Sequence, residues 1–272
     1  MKVWFITGTS RGFGREWAMA ALARGDKVAA AARDTATLAD LVDKYGDTIF
    51  PLTLDVADRA EAFAAVDRAH AHFGRLDVVI NNAGYGLFGF IEEASEAQAR
   101  AQMETNVFGA LWVTQAALPH LRKQKSGHIL QVSSIGGIVA WPILGMYHAS
   151  KWALEGFSQS LAEEVKEFGI HVTLVEPGGF NTDWSGPSAK RTTPMSAYDE
   201  KRNQVAEARK VMIAKRGDPT ATGAAILEIV DAEEPPLRVF LGESPLGLAK
   251  KDYEARLANW EKWQPLAVKA QG

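Results

Sequence analysis

Seven short apolar runs punctuate the chain, at residues 3–7, 27–32, 49–54, 76–81, 128–133, 171–176 and 237–241. Most are rich in Val, Ile and Leu without strict alternation, as expected of strands buried on both faces. Between them lie amphipathic stretches, such as residues 15–24, 60–73 and 147–168, that read as helices. Strand, helix, strand at this spacing predicts βαβ units and a parallel sheet. Right-handed crossovers then place helices on both faces, giving a doubly wound α/β fold on seven strands. A length of 272 residues suits one large domain over residues 1–272.

The pattern changes after Pro177. Residues 178–220 carry many Gly, Ser, Thr, Pro and Lys and few apolar anchors. Such a long irregular segment reads as a functional lid or as disorder, and is taken as the substrate-loop region. Residues 245–272 form a C-terminal extension. Within it, residues 250–263 read as a short helix whose Trp260 and Trp263 pack onto the domain or against another subunit.

Hydrophobic residues make up 47% of the chain and charged residues 23%, which excludes wholesale disorder and a fibrous repeat. There is no cysteine. Disulfide frameworks, thiolate nucleophiles, Fe–S clusters and Cys-based zinc sites are therefore excluded, and a reducing compartment is expected. Thirty basic residues against 33 acidic ones leave a net charge of −3. With no long basic run, nucleic acid and anionic membrane are poor partners. The apolar stretch at residues 3–6 is too short for a signal-peptide core, and no run approaches the ~18 residues of a membrane helix. The expectation is a soluble, cytoplasmic protein. None of the six histidines has convincing metal spacing: His70 and His72 point to different helix faces, and His148 reads as incidental. No metal is expected.

After the first run comes Thr7-Gly8-Thr9-Ser10-Arg11-Gly12-Phe13-Gly14, which opens a helix. Glycines here allow a tight turn and let backbone N–H groups approach a pyrophosphate, which the helix N-terminus favours. By itself the loop also fits a plain βα turn. The second run ends Ala30-Ala31-Ala32, followed by Arg33-Asp34. The acid that usually holds an NAD ribose is missing at Ala32. Arg33, with Arg11 from the glycine loop, suits a 2′-phosphate, so NADP(H) is expected in preference to NAD(H). The open alternatives are a solvated Arg33 and an Asp34 that rotates inward to serve NAD.

Together with Asn81-Asn82-Ala83-Gly84 and Tyr147-His148-Ala149-Ser150-Lys151, the glycine loop resembles the short-chain dehydrogenase/reductase family. The likeness runs from Lys2 to about Thr182, and the 13-residue gap from Ser134 to Tyr147 strengthens it. The resemblance implies a Rossmann-like fold and an oxidoreductase that interconverts a ketone or aldehyde and an alcohol. It implies cofactor contacts from Gly8, Ser10, Arg11, Gly12, Phe13, Gly14 and Arg33. Asp55 and Val56 match the pair at the adenine ring. Asn82, Ala83 and Gly84 match the turn lining the ribose, Pro177-Gly178 the turn at the nicotinamide, and Thr182 a contact to its carboxamide. Ser134, Tyr147 and Lys151 match the catalytic set. Lys151 is also implied as a ribose ligand, and Asn106 as the holder of a relay water.

The residues themselves support that chemistry. Tyr147 and Lys151, four apart, share a helix face. An adjacent ammonium is expected to lower the phenol pKa and make Tyr147 a general acid or base. Ser134 adds a second donor toward the same carbonyl oxygen. Singly, each has a structural reading: a helix-surface pair, a turn hydroxyl, a surface Asn. The expected pocket walls are Ile135, Gly136, Trp141, Leu144, Gly179, Phe180 and Trp184, with Tyr85 and Phe88 at the mouth or in the core. These are largely apolar, which predicts an uncharged, hydrophobic carbonyl or alcohol substrate. The 147–168 helix carries small residues at Ala149, Ala153, Gly156 and Ser160, besides large ones at Trp152, Phe157 and Leu161. Apolar groups on more than one side suggest burial against something besides its own sheet, and the family resemblance implies a homodimer or homotetramer through this helix and the one holding Asn106. The alternative from another class is a non-catalytic NADP(H)-sensing protein of the same fold.

Overall fold

The computed structural model describes residues 1–186, 188–213 and 216–272, and the side chains of residues 211–213 fall outside that description. Its organisation can be read from the first strand. β1 (Val3–Thr7) is buried at every position. Val3 and Phe5 enter one apolar layer, Trp4 and Ile6 the opposite one. A strand covered on both faces has no solvent side to mark with polar residues, hence the unbroken apolar run.

The other strands are β2 (Lys27–Ala32), β3 (Ile49–Thr53), β4 (Val78–Asn81), β5 (Gly127–Val132), β6 (Ile170–Pro177) and β7 (Arg238–Leu241). They pair in the order 3-2-1-4-5-6-7, all parallel. The chain winds outward from β1 in both directions, so a crevice opens where the C-terminal ends of β1 and β4 diverge. One face is covered by α3 (Arg59–Phe73), α5 (Gly109–Gln124) and α6 (Gly145–Val165), the other by α1 (Gly12–Ala23), α2 (Ala39–Tyr45) and α8 (Thr222–Asp231). Asp58 caps α3 by accepting from Glu61 N at 3.0 Å, and Gly74 ends it in the left-handed region at φ +80°. The buried indoles are satisfied: Trp4 Nε1 donates to Asp26 at 2.9 Å and Trp17 Nε1 to Thr222 Oγ1 at 2.8 Å. No helix among the described residues is long and apolar enough to cross a membrane.

Two expectations need correction. Segment 178–220 is not irregular throughout. Of it, residues 187 and 214–215 lie outside the described residues, but α7 (Asp199–Ile213) occupies much of the rest. Lys190–Arg191 forms a two-residue parallel ribbon with Leu87–Phe88. The terminal helix α9 (Ser244–Gln271) is 28 residues long. Its first turns pack through Pro245 and Ala249, but Trp260 and Trp263 are more than half exposed, so they do not pack onto the sheet-and-helix body.

The lid formed by residues 190–202 hangs on one buried carboxylate. Glu93 accepts from Phe90 N at 2.9 Å, Met195 N at 2.8 Å and Thr192 Oγ1 at 3.0 Å, and pairs with Arg202. Burial pushes its carboxyl up, but Arg202 and the two backbone N–H groups outweigh that and bring it to about 2. A carboxyl depressed in the folded state stabilises fully above the ordinary carboxylate pKa, and the contribution fades as pH falls toward about 2. Replacing Glu93 by Ala strands the Arg202 charge and two N–H groups. It should cost about 3 kcal/mol, a Tm lower by about 9 °C for a chain of this size, in thermal unfolding at neutral pH.

Candidate active site

The crevice is built by a backbone knot between β1 and β4. Thr7 Oγ1 accepts from the N–H groups of Asn82 and Ala83, both at 3.0 Å. Asn82 Nδ2 donates back to Thr7 O at 2.9 Å and Gly8 O at 3.1 Å. The chain then turns at Gly8, φ +71°, and a Cβ on Gly14 would lie 2.5 Å from Gly8 O, so no larger residue fits there. Gly12 opens α1 at φ +60°, with only Thr182 Cβ, 4.0 Å away, near its missing side chain. Arg11 precedes α1 without a side-chain cap, and no acid stands in the first turn. The N–H groups and positive dipole end are left for an anion.

A cleft of about 480 Å³ extends from this turn. Gly8, Ser10, Arg11, Gly12 and Phe13 line one end, with Arg33 and the Asp55-Val56 pair beside them. Asn82, Ala83, Gly84, Tyr147, Lys151, Pro177, Gly178 and Thr182 line the rest. Gly14 is packed beneath the turn instead, and the Phe13 ring stacks on Trp17 at 5.4 Å, leaving its backbone to face the cleft. Asp34 is turned to local use: its carboxylate accepts from Ala36 N at 3.0 Å and caps the following turn. Arg11 lies 3.7 Å from Asp183, in the short turn at Asp183–Ser185. Gly178 N donates to Leu241 O at 2.9 Å, and Pro245 sits close against this glycine.

Asn106 is buried in a single π-helical turn, residues Glu104–Phe108, between α4 (Glu96–Met103) and α5. The wider turn interrupts the α-helical ladder, a feature common at functional sites. Its Oδ1 accepts from Tyr85 N at 3.1 Å, and its Nδ2 donates to Tyr85 O at 3.1 Å and Ser150 Oγ at 3.0 Å. Both amide hydrogens are thus spent on scaffolding. Gln102, absent from the sequence candidates, completes the frame by accepting from Leu87 N at 2.8 Å and donating to Tyr85 O at 2.9 Å. A glutamine four residues before an asparagine on one helix face is too weak a signal to have singled it out.

α6 delivers Tyr147 and Lys151 to the cleft floor. Lys151 Nζ donates to Val132 O at 2.7 Å and lies 5.8 Å from the Tyr147 ring centroid. The expected lowering of the phenol pKa is reversed in this structure. Burial pushes Tyr147 up to about 12, with the Ser134 hydroxyl pulling the other way. Burial likewise brings Lys151 down to about 8, opposed by the Glu155 carboxylate. Both groups are buried side by side, and desolvation penalises each charged form. Tyr147 is therefore a neutral proton donor at rest. Behind Lys151, Arg238 Nε bridges Glu155 at 2.9 Å and Glu176 at 3.5 Å. Burial and the Glu155 charge raise Glu176 to about 8, so it keeps a proton.

Ser134 sits at the start of the loop between β5 and α6, and its Oγ accepts from Gly136 N at 3.0 Å. That leaves the hydroxyl hydrogen free to point elsewhere. His148, taken from sequence as incidental, clamps this loop from below. Its Nδ1 lies 2.8 Å from Gly136 O, while its Nε2 accepts from Trp141 N at 3.1 Å. A carbonyl can only accept, so Nδ1 must carry the proton and Nε2 a lone pair. Burial lowers the imidazole pKa, which keeps that neutral form.

The expected pocket walls divide. Trp184 stands 4.9 Å from the Tyr147 ring and 5.1 Å from Phe88, and Tyr85 lines the same cleft. Gly179 and Phe180 also line it, although the Phe180 ring packs edge-on against Phe13 at 5.1 Å. Ile135 turns instead into a small cluster with Ile138, Val139 and Ala249, which Trp141 covers. Leu144 bridges to Gly89. The tautomer of His148 is directly observable. Nitrogen NMR at neutral pH should show a protonated Nδ1 and a pyridine-type Nε2, and a protonated Nε2 would refute the clamp.

The short chain dehydrogenase family model matches residues 2–192. Oxidoreductase BOA17 of Botryotinia fuckeliana is 44% identical over 269 residues, covering 98% of this chain and 98% of its own. A crystal structure of a short-chain dehydrogenase from Streptomyces avermitilis superposes with a TM-score of 0.92 at 37% identity, over 99% of this chain and 100% of that one. An alcohol dehydrogenase from the archaeon Thermococcus sibiricus, complexed with 5-hydroxy-NADP, has a TM-score of 0.74 at 26% identity, over 89% of this chain and 96% of its own. With the cleft geometry, these findings show that the chain belongs to the short-chain dehydrogenase family, as an oxidoreductase acting on CH–OH and carbonyl groups.

Proposed function

We propose that this protein is an NADP(H)-dependent oxidoreductase that interconverts a ketone or aldehyde and an alcohol, with Tyr147 as general acid and base. The observation that carries the reading is one continuous cleft. It joins an uncapped helix N-terminus behind a glycine turn to a buried phenol–ammonium pair. A dinucleotide fits the residues present. The open N-terminus of α1 would receive its pyrophosphate, Asp55-Val56 its adenine end, and Lys151, Pro177-Gly178 and Thr182 its nicotinamide half. When bound, it supplies the hydride.

The protein's part is proton handling. Tyr147, kept neutral by burial, donates its proton to the carbonyl oxygen as that oxygen gains charge. Ser134 donates a second hydrogen bond to the same oxygen. Lys151 then stabilises the phenolate left behind. Asn106 holds the Tyr85 loop against this pair and acts as a positioning residue. NADP(H) is favoured over NAD(H) because Arg33 lines the cleft with no carboxylate partner among the described residues, and Asp34 is engaged in its own turn. The reacting end of the substrate is hydrophobic and uncharged, to suit Trp184 and Tyr85 in the cleft wall. The small-residue face of α6 is open to solvent at Ala149, Gly156 and Ser160, with Trp152 40% exposed. It suits self-association as a homodimer or homotetramer. The cysteine-free sequence fits the cytoplasm.

The test is a panel of aromatic and alicyclic ketones and aldehydes assayed with NADPH and NADH side by side. Turnover should favour NADPH, and a panel inert with both cofactors would refute the reading. Tyr147→Phe should lower kcat about 100- to 10,000-fold while NADPH still binds by fluorescence titration. Arg33→Ala removes a charge-assisted phosphate contact, so KM for NADPH should rise about tenfold or more with NADH little affected. The pH profile of carbonyl reduction has a stated sign. The phenol keeps its proton across the neutral range, so the rate holds there. It should decline as pH rises through about 8, where Lys151 loses its charge.

A further inference from the structure

Behind Trp184, which lines the cleft, stands a group of cations that pair with no acid among the described residues. Arg191 and Arg209 both lie over the Phe88 ring, with Cζ 5.1 Å and 4.8 Å from its centroid. Arg191 also donates to Ser185 O at 3.1 Å, and Arg216 donates to Ser185 Oγ at 2.9 Å. Arg216 and Lys190 line the cleft itself. Among the described residues, no carboxylate lies within ion-pair distance of Arg191, Arg209 or Arg216. The acids nearby in sequence are engaged elsewhere, Asp183 with Arg11 and Glu207 with Lys210.

Gathering guanidinium groups without a counter-charge is unfavourable. Half-buried Arg209 shows the effect: burial, then the charges of Arg216 and Arg191, all act against its protonated form. Both guanidinium groups lie against the Phe88 ring; Arg191 gives one N–H to Ser185 O, and the remaining N–H edges are left for a ligand. Those edges match an anion with two or more acceptor oxygens. The position is specific. Phe88 contacts Trp184, which contacts Tyr147, so the cations stand two rings away from the reacting phenol.

We propose that the substrate carries a carboxylate or phosphate at the end remote from its reacting carbonyl, and that Arg191 and Arg209 receive it. This rests on the carbonyl-reductase reading above. It keeps a hydrophobic, uncharged reacting end and adds an anionic tail beyond the aromatic wall.

Benzoylbutyrate and its methyl ester differ only in that charge and test the idea with NADPH. Wild type should prefer the acid in kcat/KM by about tenfold or more, through KM, and the preference should shrink at high salt. In the double variant Arg191→Gln/Arg209→Gln the acid-to-ester ratio should fall to near one. No preference in wild type, or one that survives in the variant, overturns the proposal. So does a variant that loses NADPH affinity in fluorescence titration while keeping the acid preference, since the cations would then serve the cofactor. If neither probe turns over, quenching of tryptophan fluorescence still decides the question. Acid binding that disappears in the variant supports the anion site even as the catalytic reading is in doubt, and no selective acid binding overturns it.

Discussion

Taking Tyr147 and Lys151 out of water on one turn of α6 is the constraint from which the rest of the site follows. Both side chains are buried, and burial penalises both phenolate and ammonium. The phenol therefore rests neutral, and the ammonium survives only with help. Val132 O supplies a hydrogen bond at 2.7 Å and Glu155 supplies charge. Glu155 in turn repels Glu176 at the end of β6, which keeps a proton, and Arg238 on β7 spans the two. A requirement at one phenol is thus paid out across a helix and two strands. It also explains why a long cationic side chain is tolerated in the core: its charge is traded among groups that share the cost.

The floor and the lid of the cleft are held by different forces. The floor is fixed by neutral hydrogen bonds: Asn82 to the glycine turn, Asn106 and Gln102 to the Tyr85 loop, His148 to the Ser134 loop. Neutral bonds set geometry without adding a field that would disturb the titration of Tyr147. The lid at residues 190–202 is held by the Glu93–Arg202 ion pair, and Arg11 pairs with Asp183 in the segment before it. The second of these pairs is half-exposed and open to screening by salt, whereas the buried amide frame is not. Neutral hydrogen bonds thus surround the Tyr147–Lys151 pair, and ion pairs hold the segments outside it.

Much of this was legible in the sequence because its causes are local. Strands buried on both faces must be apolar throughout, so the runs and the parallel order could be read. Gly8 and Gly14 are required by close backbone approach, and Tyr147 and Lys151 by helical period. What escaped depends on tertiary surroundings. α7 is largely polar, with few anchors to show a buried face, and the ribbons at Leu87–Phe88 and Lys190–Arg191 are only two residues long. The sign of the Tyr147 shift was misread because proximity to Lys151 is visible in sequence and desolvation is not. His148 read as incidental because its partners, Gly136 O and Trp141 N, are main-chain groups, which carry no residue code. The exposed length of α9 escaped because nothing of its own chain shapes its outer half.

The same distinction governs charge. A net charge of −3 describes the whole molecule, yet the cleft is basic at both ends, with Arg11 and Arg33 by the glycine turn and Lys190 and Arg216 at the other, where Arg191 and Arg209 lie against Phe88. Between them lies a stretch walled by Trp184, Tyr85 and Tyr147, with Phe88 packed behind Trp184. Field lines in a concave, low-dielectric site follow these local groups more than the total. Composition therefore argues against long polyanions, which need an extended basic face. It leaves room for a small molecule that carries its charge at one end. At the phenol itself the one nearby cation among the described residues is Lys151, 5.8 Å from the ring centroid, and burial outweighs its pull, so Tyr147 keeps its proton.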